Sequence, residues 1–282
     1  MSNFPLQINL NHRLVDLSVP VVMGIVNVTP DSFYKGSRFA GDKSILHAVE
    51  KMVSDGAKMI DIGGYSTRPH AELISQEEEI RRLSEGLDVI LSKFPDIIVS
   101  VDTFRSGVAR HIVTNYRVAM INDVSGGTLD DLMFETIADL QVAYVLMHMR
   151  GNPQSMQSLT LYDDIVSEVL HFLEKKLAQL RLLGVNDVVV DPGFGFAKDL
   201  DQNYTLLSKL TYLKQLNVPI LAGVSRKSML SKLLGIDASE ALNATTAANM
   251  LALVGGASIL RVHDVKEACQ TVEIYKKYIE TK

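Results

Sequence analysis

Residues 188–196 read Val-Val-Val-Asp-Pro-Gly-Phe-Gly-Phe, and this stretch decides how the rest of the chain is interpreted. Three valines before Asp191 predict a short buried strand that presents one carboxylate at its carboxyl end. Pro192 and the two glycines then end the strand and let the backbone turn, which brings Phe194 and Phe196 beside the carboxylate. Such a place suits a flat, nitrogen-rich ring, because a carboxylate accepts two parallel N–H bonds and a ring packs on an aromatic face. A single Asp-Pro-Gly sequence would indicate only a turn-capping aspartate.

The same pattern, a short apolar run that ends in a polar residue, recurs eight times along the chain. Because the runs are apolar throughout rather than alternating, they predict parallel strands that are buried on both faces. The predicted strands are Val21–Asn27, Met59–Asp61, Ile97–Asp102, Val118–Asn122, Ala143–His148, Val188–Asp191, Pro219–Gly223 and Ser258–His263. Helical patterns separate them at Lys43–Asp55, Gln76–Phe94, Ser106–Asn115, Asp130–Leu140, Asp163–Leu183, Gln202–Leu216, Ala238–Leu253 and Val265–Glu280.

Eight strand–helix units predict an α/β fold, a single (β/α)8 TIM barrel. We assign residues 1–282 to one domain without an internal linker, although the length alone also fits two smaller domains. An open doubly wound sheet is the alternative, but the first strand lacks the G-x-G-x-x-G fingerprint of that class. Residues 6–17 alternate around Asn11-His12 and predict a β-hairpin that closes one end of the barrel.

Four residues give signals for helix ends. Asp42 and Ser75 are predicted amino-terminal caps, with Glu78 completing a capping-box sequence after Ser75. Gly56 and Gly184 stand where carboxyl-terminal stops are expected.

Composition excludes several classes of function. The chain has 282 residues, is 47% hydrophobic and 22% charged, and carries a net charge of −5, so it lacks the basic excess of a nucleic-acid-binding protein. The single cysteine, Cys269, excludes an intrachain disulfide and a cysteine-based metal site. The longest apolar run, Met250–Leu260, is too short to cross a bilayer, and Met1–Pro20 lacks the features of a signal peptide. We therefore expect a cytoplasmic protein with no membrane partner and no nucleic-acid partner.

Polar side chains are predicted to converge where the barrel strands end, which is the catalytic face of such barrels. Asp102, Asn122, Asp191 and Lys227 offer donors and acceptors for a small heterocycle, although Lys227 would also fit a solvated loop. The cations Arg68, Arg261 and His263 come from three separate segments and indicate a polyanion, most simply a diphosphate. His263 in isolation would fit a core histidine, but it lies two residues from Arg261 in a strand and so shares its face.

Two further features complete the predicted site. Asn27 supplies an oxygen that suits Mg²⁺, which keeps waters and takes few protein ligands. Ser228 stands where a helix can start after the seventh strand, and the amino terminus of a helix there would attract a carboxylate on a second substrate. The segments 28–41 and 63–75 are long enough to be lids, although their tips also fit plain surface connections.

The chain resembles the dihydropteroate synthase family over essentially its whole length. Seven motifs carry the resemblance, in family order: Met23–Phe33 (Met-Gly-Ile-Val-Asn-Val-Thr-Pro-Asp-Ser-Phe), Asp61–Pro69 (Asp-Ile-Gly-Gly-Tyr-Ser-Thr-Arg-Pro), Ser100–Thr103, Ile121–Asp123, Asp191–Phe196, Gly223–Ser228 and Arg261–His263. The resemblance implies a barrel enzyme that joins 6-hydroxymethyl-7,8-dihydropterin diphosphate to p-aminobenzoate. The products would be 7,8-dihydropteroate and pyrophosphate, with C–O cleavage before attack by the aniline nitrogen.

The resemblance also implies roles for individual residues. The pterin would be bound by Asp102, Asn122, Met147, Asp191, Phe196, Lys227 and Arg261. The p-aminobenzoate site, where sulfonamides compete, would be formed by Phe33, Thr67, Arg68, Pro69, Lys227 and Ser228. Asn27, Arg68, Arg261 and His263 would hold the diphosphate, Asn27 would ligate Mg²⁺, and catalysis would depend on Arg68, Lys227, Arg261 and His263. A homodimer is a further expectation from the family.

The chain departs from the family pattern at few positions. Many members have Glu where this chain has Tyr65, and the tip at residues 34–36 is unusual. A pterin-dependent methyltransferase barrel is the nearest alternative, but it needs no diphosphate clamp. A non-catalytic pterin-binding paralogue is another, but it would be marked by damaged loop motifs, and those here are intact. A sugar-phosphate isomerase barrel would need a glutamate at a strand end, which the sequence does not supply.

Overall fold

A computed structural model describes residues 6–28, 38–65 and 73–281, without the side chains of residues 38–42. These ranges contain ten strands and nine α-helices. The strands are β1 (Gln7–Leu10), β2 (Arg13–Asp16), β3 (Val21–Asn27), β4 (Met59–Gly63), β5 (Ile98–Asp102), β6 (Met120–Asp123), β7 (Ala143–Met147), β8 (Val188–Asp191), β9 (Leu221–Ala222) and β10 (Ile259–Val262). The helices are α1 (Arg38–Ser54), α2 (Gln76–Lys93), α3 (Ser106–Asn115), α4 (Met133–Leu140), α5 (Ile165–Leu182), α6 (Leu200–Ser208), α7 (Ser228–Leu234), α8 (Leu242–Gly255) and α9 (Val265–Glu280).

The last eight strands form one parallel sheet that closes on itself. Their order is β8-β7-β6-β5-β4-β3-β10-β9, and a parallel bridge between Val190 and Ile220 joins the two end strands. The backbone N–H of Val190 donates to the carbonyl of Pro219 at 2.9 Å across the same seam. The predicted (β/α)8 barrel is therefore confirmed. The assignment of residues 1–282 to a single domain stays a prediction.

Strand parity divides the barrel residues into two sets. Val22, Ile60 and Val99 pack outward against the helices, in the larger hydrophobic cluster. Their neighbours Met23 and Met59 point into the barrel, in a separate apolar cluster. Every second residue of a strand faces the same side, so the parity of these apolar residues shows which polar side chains of the same strands face the interior.

The predicted amino-terminal hairpin is confirmed as an antiparallel pair of β1 with β2. Asn11 and His12 both have positive φ values, 52° and 61°, as a two-residue turn with matching twist requires. Ile8 and Leu10 are fully buried against the interior cluster that includes Met23 and Met59. The hairpin thus closes the amino-terminal end of the barrel, as predicted. The opposite end, where the carboxyl ends of the strands lie, is called the open end below.

Several predicted boundaries differ from the structure. Asp42 is not a cap, because α1 begins at Arg38, whereas Ser75 caps α2 by accepting the N–H of Glu78. The predicted helix 202–216 is two elements, since Asp199 caps α6 in a capping box and a 3-10 helix (Leu210–Leu216) follows. Gly56 and Gly184 have positive φ, as predicted for helix stops. His148 and His263 each lie one residue beyond the strand to which they were assigned.

Candidate active site

Four strands bring one interior polar network together near the open end of the barrel. The Nε of Arg261 on β10 donates to Oδ2 of Asp61 at 2.6 Å, and its Nη2 donates to Oδ2 of Asp102 at 2.8 Å. The amide nitrogen of Asn122 donates to the same Oδ2 of Asp61 at 3.0 Å. Three of the predicted pterin-binding residues, Asp102, Asn122 and Arg261, are thus held in one hydrogen-bonded group.

Acceptor oxygens in this region remain open to a ligand. Asp191 uses Oδ1 to accept the N–H of Gly193 at 2.7 Å. Within the described ranges its Oδ2 receives no hydrogen bond, and the same holds for Oδ1 of Asp102 and Oδ1 of Asn122. None of these three atoms is among the fully buried side-chain atoms without a hydrogen-bond partner in the described residues. They are three acceptor oxygens from three strands of the barrel, two of carboxylates and one of an amide.

The segment after β8 is shaped by two lysines. Lys227 donates to the carbonyl of Phe194, and its Nζ lies 4.5 Å from the centroid of the Phe196 ring. Lys198 is buried, and its Nζ contacts Nδ1 of His148 at 3.0 Å, the carbonyl of Gly193 at 3.0 Å and that of Phe196 at 2.9 Å. These contacts fix the turn that follows Asp191.

The apolar wall of the mouth includes two predicted residues. Met147 is buried at the end of β7, directly beside Asp191 in the sheet register. It belongs to a small cluster whose members are Val124, Met147, Met149, Met156 and Ala197, with Phe104 and Phe196 packed against it. The predicted lining role of Met147 and Phe196 is compatible with this position.

Burial changes the pKa values of the charged groups at the mouth. It raises the pKa of Asp102 to about 7, although the charge of Arg261 acts in the opposite direction. Burial also raises the pKa of Asp191, which the charge of Lys227 partly offsets. The pKa of Lys227 is lowered to about 8, again by burial and against the attraction of Asp191. The pKa values of Asp102 and Lys227 therefore lie close to neutral pH.

Another arginine, Arg226, links the segments that follow β9 and β10. Arg226 has a φ of 53° and donates through Nε and Nη2 to Asp264 at 2.8 and 2.9 Å. The backbone N–H of His263 donates to Oγ of Ser225 at 3.2 Å. These bonds set the positions of Lys227 and of the exposed His263 on neighbouring segments.

Asn27 ends β3 at the same edge of the barrel. In the sheet register it lies opposite Gly63, which lies opposite Asp102. A Cβ placed on Gly63 would lie 3.7 Å from Oδ1 of Asn27 and 3.5 Å from Cβ of Asp102, so the glycine leaves room between the two side chains. In residues 6–28, 38–65 and 73–281 no group of three or more His, Cys, Asp or Glu could hold a metal ion. A single amide oxygen fits Mg²⁺ that takes its other ligands from water and phosphate.

The remaining predicted site residues fall in two groups. Ser228 is exposed and begins α7, a helix of 7 residues. Phe33, Thr67, Arg68 and Pro69 lie outside the described residues. Tyr65, the predicted departure from the family pattern, is buried and makes an edge-to-face contact with Phe104 at 5.2 Å, with the guanidinium of Arg105 5.3 Å from its ring. The tyrosine is accommodated by this aromatic packing.

Some polar residues at strand ends do not face the mouth. Asp123 follows Asn122 and so points to the helix layer, where the hydroxyl of Tyr144 donates to it at 2.6 Å. His148 is buried beside Lys198 and Phe172, and burial lowers its pKa to about 2. Strand parity and the turn after β7 therefore direct Asp123 and His148 away from the mouth, while Asn122 and Met147 represent β6 and β7 there.

The sequence matches the family model described as pterin binding enzyme over residues 23–263. It is 42% identical over 256 residues to a dihydropteroate synthase of Synechocystis, covering 90% of this chain and 88% of that protein. The chain belongs to the dihydropteroate synthase family.

Solved structures of this family share the fold over nearly the whole chain. A Xanthomonas albilineans dihydropteroate synthase with 4-aminobenzoic acid has a TM-score of 0.90 and 35% identity, covering 98% of this chain and 99% of that one. A Yersinia pestis dihydropteroate synthase in complex with a sulfonamide drug has a TM-score of 0.89 and 36% identity, covering 97% and 99%. The chain therefore shares the fold of these two dihydropteroate synthase structures.

Proposed function

We propose that the open end of the barrel is where this chain carries out its family's reaction. The activity is that of a dihydropteroate synthase, a transferase of folate biosynthesis with small-molecule substrates. The observation that carries the assignment to this end is the network of Asp61, Asp102, Asn122 and Arg261, with open acceptors on neighbouring strands. The hairpin closes the other end, so the substrates must enter where these acceptors lie.

In this proposal, carboxylate and amide oxygens of the protein accept hydrogen bonds from the ring nitrogens of the pterin, and Lys227 and Arg261 contact it from other sides. Asp191 Oδ2 accepts N–H groups from the aminopyrimidinone edge, and Asn122 Oδ1 and Asp102 Oδ1 accept from the other ring nitrogens. Met147 and Phe196 pack on the ring, and Lys227 stands beside Phe196, within reach of a ring oxygen or nitrogen. Arg261 packs against the ring and also faces the diphosphate.

The reaction exchanges one bond at the pterin methylene carbon. The C–O bond to the diphosphate breaks first, and its electron pair leaves with pyrophosphate. The aniline nitrogen of p-aminobenzoate then forms the new C–N bond and loses one proton to solvent. The carboxylates of Asp191 and Asp102 stabilise positive charge that develops on the pterin, while Arg261, His263 and Arg68 stabilise the leaving diphosphate. The protein acts by positioning and charge stabilisation and supplies no dedicated general base.

Mg²⁺ is part of this proposal, with Asn27 as its protein ligand. When bound, the ion neutralises charge on the leaving diphosphate. We expect product formation to require Mg²⁺ and Asn27→Ala to raise the Mg²⁺ concentration for half-maximal rate by about tenfold, the lower end of effects from weakened metal sites. Chromatography of dihydropteroate at graded Mg²⁺ measures this. Full activity in the presence of a chelator would refute the metal's role.

The second substrate is proposed to bind between Ser228, Lys227 and the segments that carry Phe33, Thr67, Arg68 and Pro69. Ser228 is exposed at the start of α7, on the same connection as Lys227. Sulfonamides, which share the shape of p-aminobenzoate, are expected to compete there.

The pKa values predict a narrow pH range for pterin binding. Lys227 binds as a cation, and its charge is lost as pH rises through about 8. Asp102 accepts hydrogen bonds as an anion, and its negative charge is lost as pH falls through about 7. We expect the affinity for 6-hydroxymethyl-7,8-dihydropterin to fall on both sides, by about tenfold per pH unit well beyond each pKa.

Calorimetry from about pH 6 to about pH 9 measures this dependence, with a probe that carries no diphosphate. Lys227→Met should remove the alkaline decline and Asp102→Asn the acidic one, each at a lower maximal affinity. An affinity that stays constant across the range would contradict the proposed charge states.

A homodimer is proposed from the outer helices. Leu251 and Val254 are 55% and 47% exposed on α8, three residues apart and hence on one face. We expect light scattering to give twice the chain mass, and Leu251→Lys to shift the protein toward the monomer. Exposed Ile274→Lys on α9 is the matched comparison. A wild-type protein of single-chain mass would contradict the proposal.

No helix in the described ranges is both long and apolar enough to span a membrane. The cytoplasmic location stays a prediction.

A further inference from the structure

Asp61 is the most deeply buried charged residue of the interior network, and the function proposed above gives it no contact with a substrate. It lies in the middle of β4, two residues after Met59, whose side chain packs in the barrel interior. Its relative exposure is 0%. By strand parity its carboxylate points into the barrel, toward the open end above the apolar layer.

One oxygen of Asp61 connects strands that are not neighbours in the sheet. Oδ2 accepts both Nε of Arg261 on β10 and the amide nitrogen of Asn122 on β6. In the sheet order β3 separates β4 from β10, and β5 separates β4 from β6. The contacts therefore cross the barrel interior, and they join the side chains of two strands, β10 and β6, that do not pair directly.

The two partners differ in what they are proposed to bind. Arg261 faces the diphosphate and the pterin face, whereas Asn122 binds a pterin edge. Arg261 is further restrained by Asp102, so its Nε and Nη2 are both engaged, and among the described residues no acceptor is bonded to Nη1. The remaining guanidinium edge is free to meet a ligand in one fixed orientation.

A purely stabilising role does not account for a carboxylate at this depth. The layer beneath it is filled by apolar residues, including Met23, Met59 and Met120. Burying a charged pair costs desolvation that apolar packing avoids, and replacing such pairs with apolar residues is often neutral or stabilising. Oδ1 of Asp61 is also buried with no hydrogen-bond partner in the described part of the chain. The position is energetically costly and is better explained by orientation of its partners.

We propose that Asp61 is a positioning residue that sets Arg261 and Asn122 at a fixed separation, so that the diphosphate clamp and one pterin edge are aligned together. This inference rests on the proposed roles of Arg261 and Asn122. It adds a residue that touches neither substrate but determines where two substrate-binding groups stand.

Calorimetry with two separate probes tests the proposal without requiring turnover. The probes are 6-hydroxymethyl-7,8-dihydropterin, which reports the pterin edge, and inorganic pyrophosphate with Mg²⁺, which reports the clamp. We expect Asp61→Asn to weaken each by about tenfold, since misplacing a binding group by about 1 Å is sufficient for losses of this size or larger. In an Arg261→Ala background, Asp61→Asn should leave pyrophosphate affinity unchanged but still weaken the pterin probe through Asn122.

This pattern separates positioning from a general fold defect. A fold defect would weaken both probes in both backgrounds and would overturn the proposal. Ser100→Ala is the matched control, because Ser100 pairs with Asp61 in the sheet register, is fully buried and has an unpartnered Oγ in the described residues. Its affinities should equal those of the wild type. Equal losses in Ser100→Ala would assign the effect to packing of the layer and also overturn the proposal.

A second variant covers the case in which Asp61→Asn does not fold. Asp61→Glu keeps the charge and moves the carboxylate by one methylene, so we expect both affinities to fall about tenfold in a folded protein. A folded Asp61→Glu with wild-type affinities would overturn the inference. Wild-type protein that binds both probes but releases no pyrophosphate from the two substrates would remove the proposed function and leave this test intact. Wild-type protein that binds neither probe would remove both.

Discussion

Replacing Arg261 by alanine lowers turnover by about a hundredfold or more, the size of loss found when one preorganised group for transition-state charge is removed. The side chain is 19% exposed and forms ion pairs with Asp61 and Asp102. Its guanidinium is therefore fixed before the substrate arrives and does not need to reorganise as the diphosphate leaves. Loss of the side chain removes the clamp and also leaves two buried carboxylates without their cation.

The comparison with two other variants separates these effects. Arg261→Lys keeps the charge but loses the planar fork, so it should fall between wild type and Arg261→Ala in kcat. Arg110→Ala removes an arginine from a pair with Asp139 that is 50% and 64% exposed, and should leave kcat unchanged. Steady-state pyrophosphate release measures all three, with thermal unfolding to confirm the fold. Near-normal kcat in Arg261→Ala would show that the clamp lies elsewhere.

Asp191→Asn is expected to weaken pterin diphosphate binding by about a hundredfold, because hydrogen bonds to a charged group contribute about 1.5–3 kcal/mol and an amide presents a donor to donors. The substitution is conservative for the fold. The bond from the N–H of Gly193 goes to Oδ1, which an asparagine retains. The expected loss therefore arises at Oδ2, the atom without a partner in the described residues.

Calorimetry of the pterin diphosphate measures this loss, and inorganic pyrophosphate with Mg²⁺ serves as the internal reference. Asp187→Asn is the matched control, since Asp187 lies at the opposite end of β8, where Oδ1 accepts the N–H of Asn9 from the hairpin. It should leave pterin affinity unchanged. If Asp191→Asn binds the pterin substrate as tightly as wild type, Asp191 does not recognise the pterin edge.

Much of this architecture follows from local sequence. Continuous apolar runs such as 188–190 predict strands covered on both sides, and eight of them between helical patterns leave few folds other than the closed barrel. The hairpin was predictable from its alternation and from Asn11-His12, whose residues tolerate positive φ. Boundaries were less predictable, because the start of α1 at Arg38 and the shortness of β9 depend on tertiary pairing that no local pattern contains.

The site was predictable where strand parity could be applied. Asp102, Asn122 and Asp191 each lie an even number of residues from an interior apolar side chain of the same strand, and all three face the barrel interior. Parity also separates Asn122 from its neighbour Asp123, which packs outward.

Other site features depend on contacts across the barrel. Two hydrogen bonds to Oδ2 of Asp61 connect it with Asn122 and Arg261. Sequence spacing does not show which of several carboxylates will pair with the arginine. The same holds for the hydrogen bond from Lys198 to the carbonyl of Gly193 and for the ion pair of Arg226 with Asp264. These contacts depend on turns that form only in the folded chain. The predicted strand Met59–Asp61 already ends in this aspartate, and its parity with Met59 places it in the interior.

The measurement that tests the central claim most directly is pyrophosphate release by the purified protein with Mg²⁺, pterin diphosphate and p-aminobenzoate, with each substrate omitted in turn and with a sulfonamide added. We predict release that requires both substrates and is suppressed by the sulfonamide. Release without p-aminobenzoate, or no release from a protein that still binds the pterin, would contradict the assignment of a synthase site to the open end of the barrel.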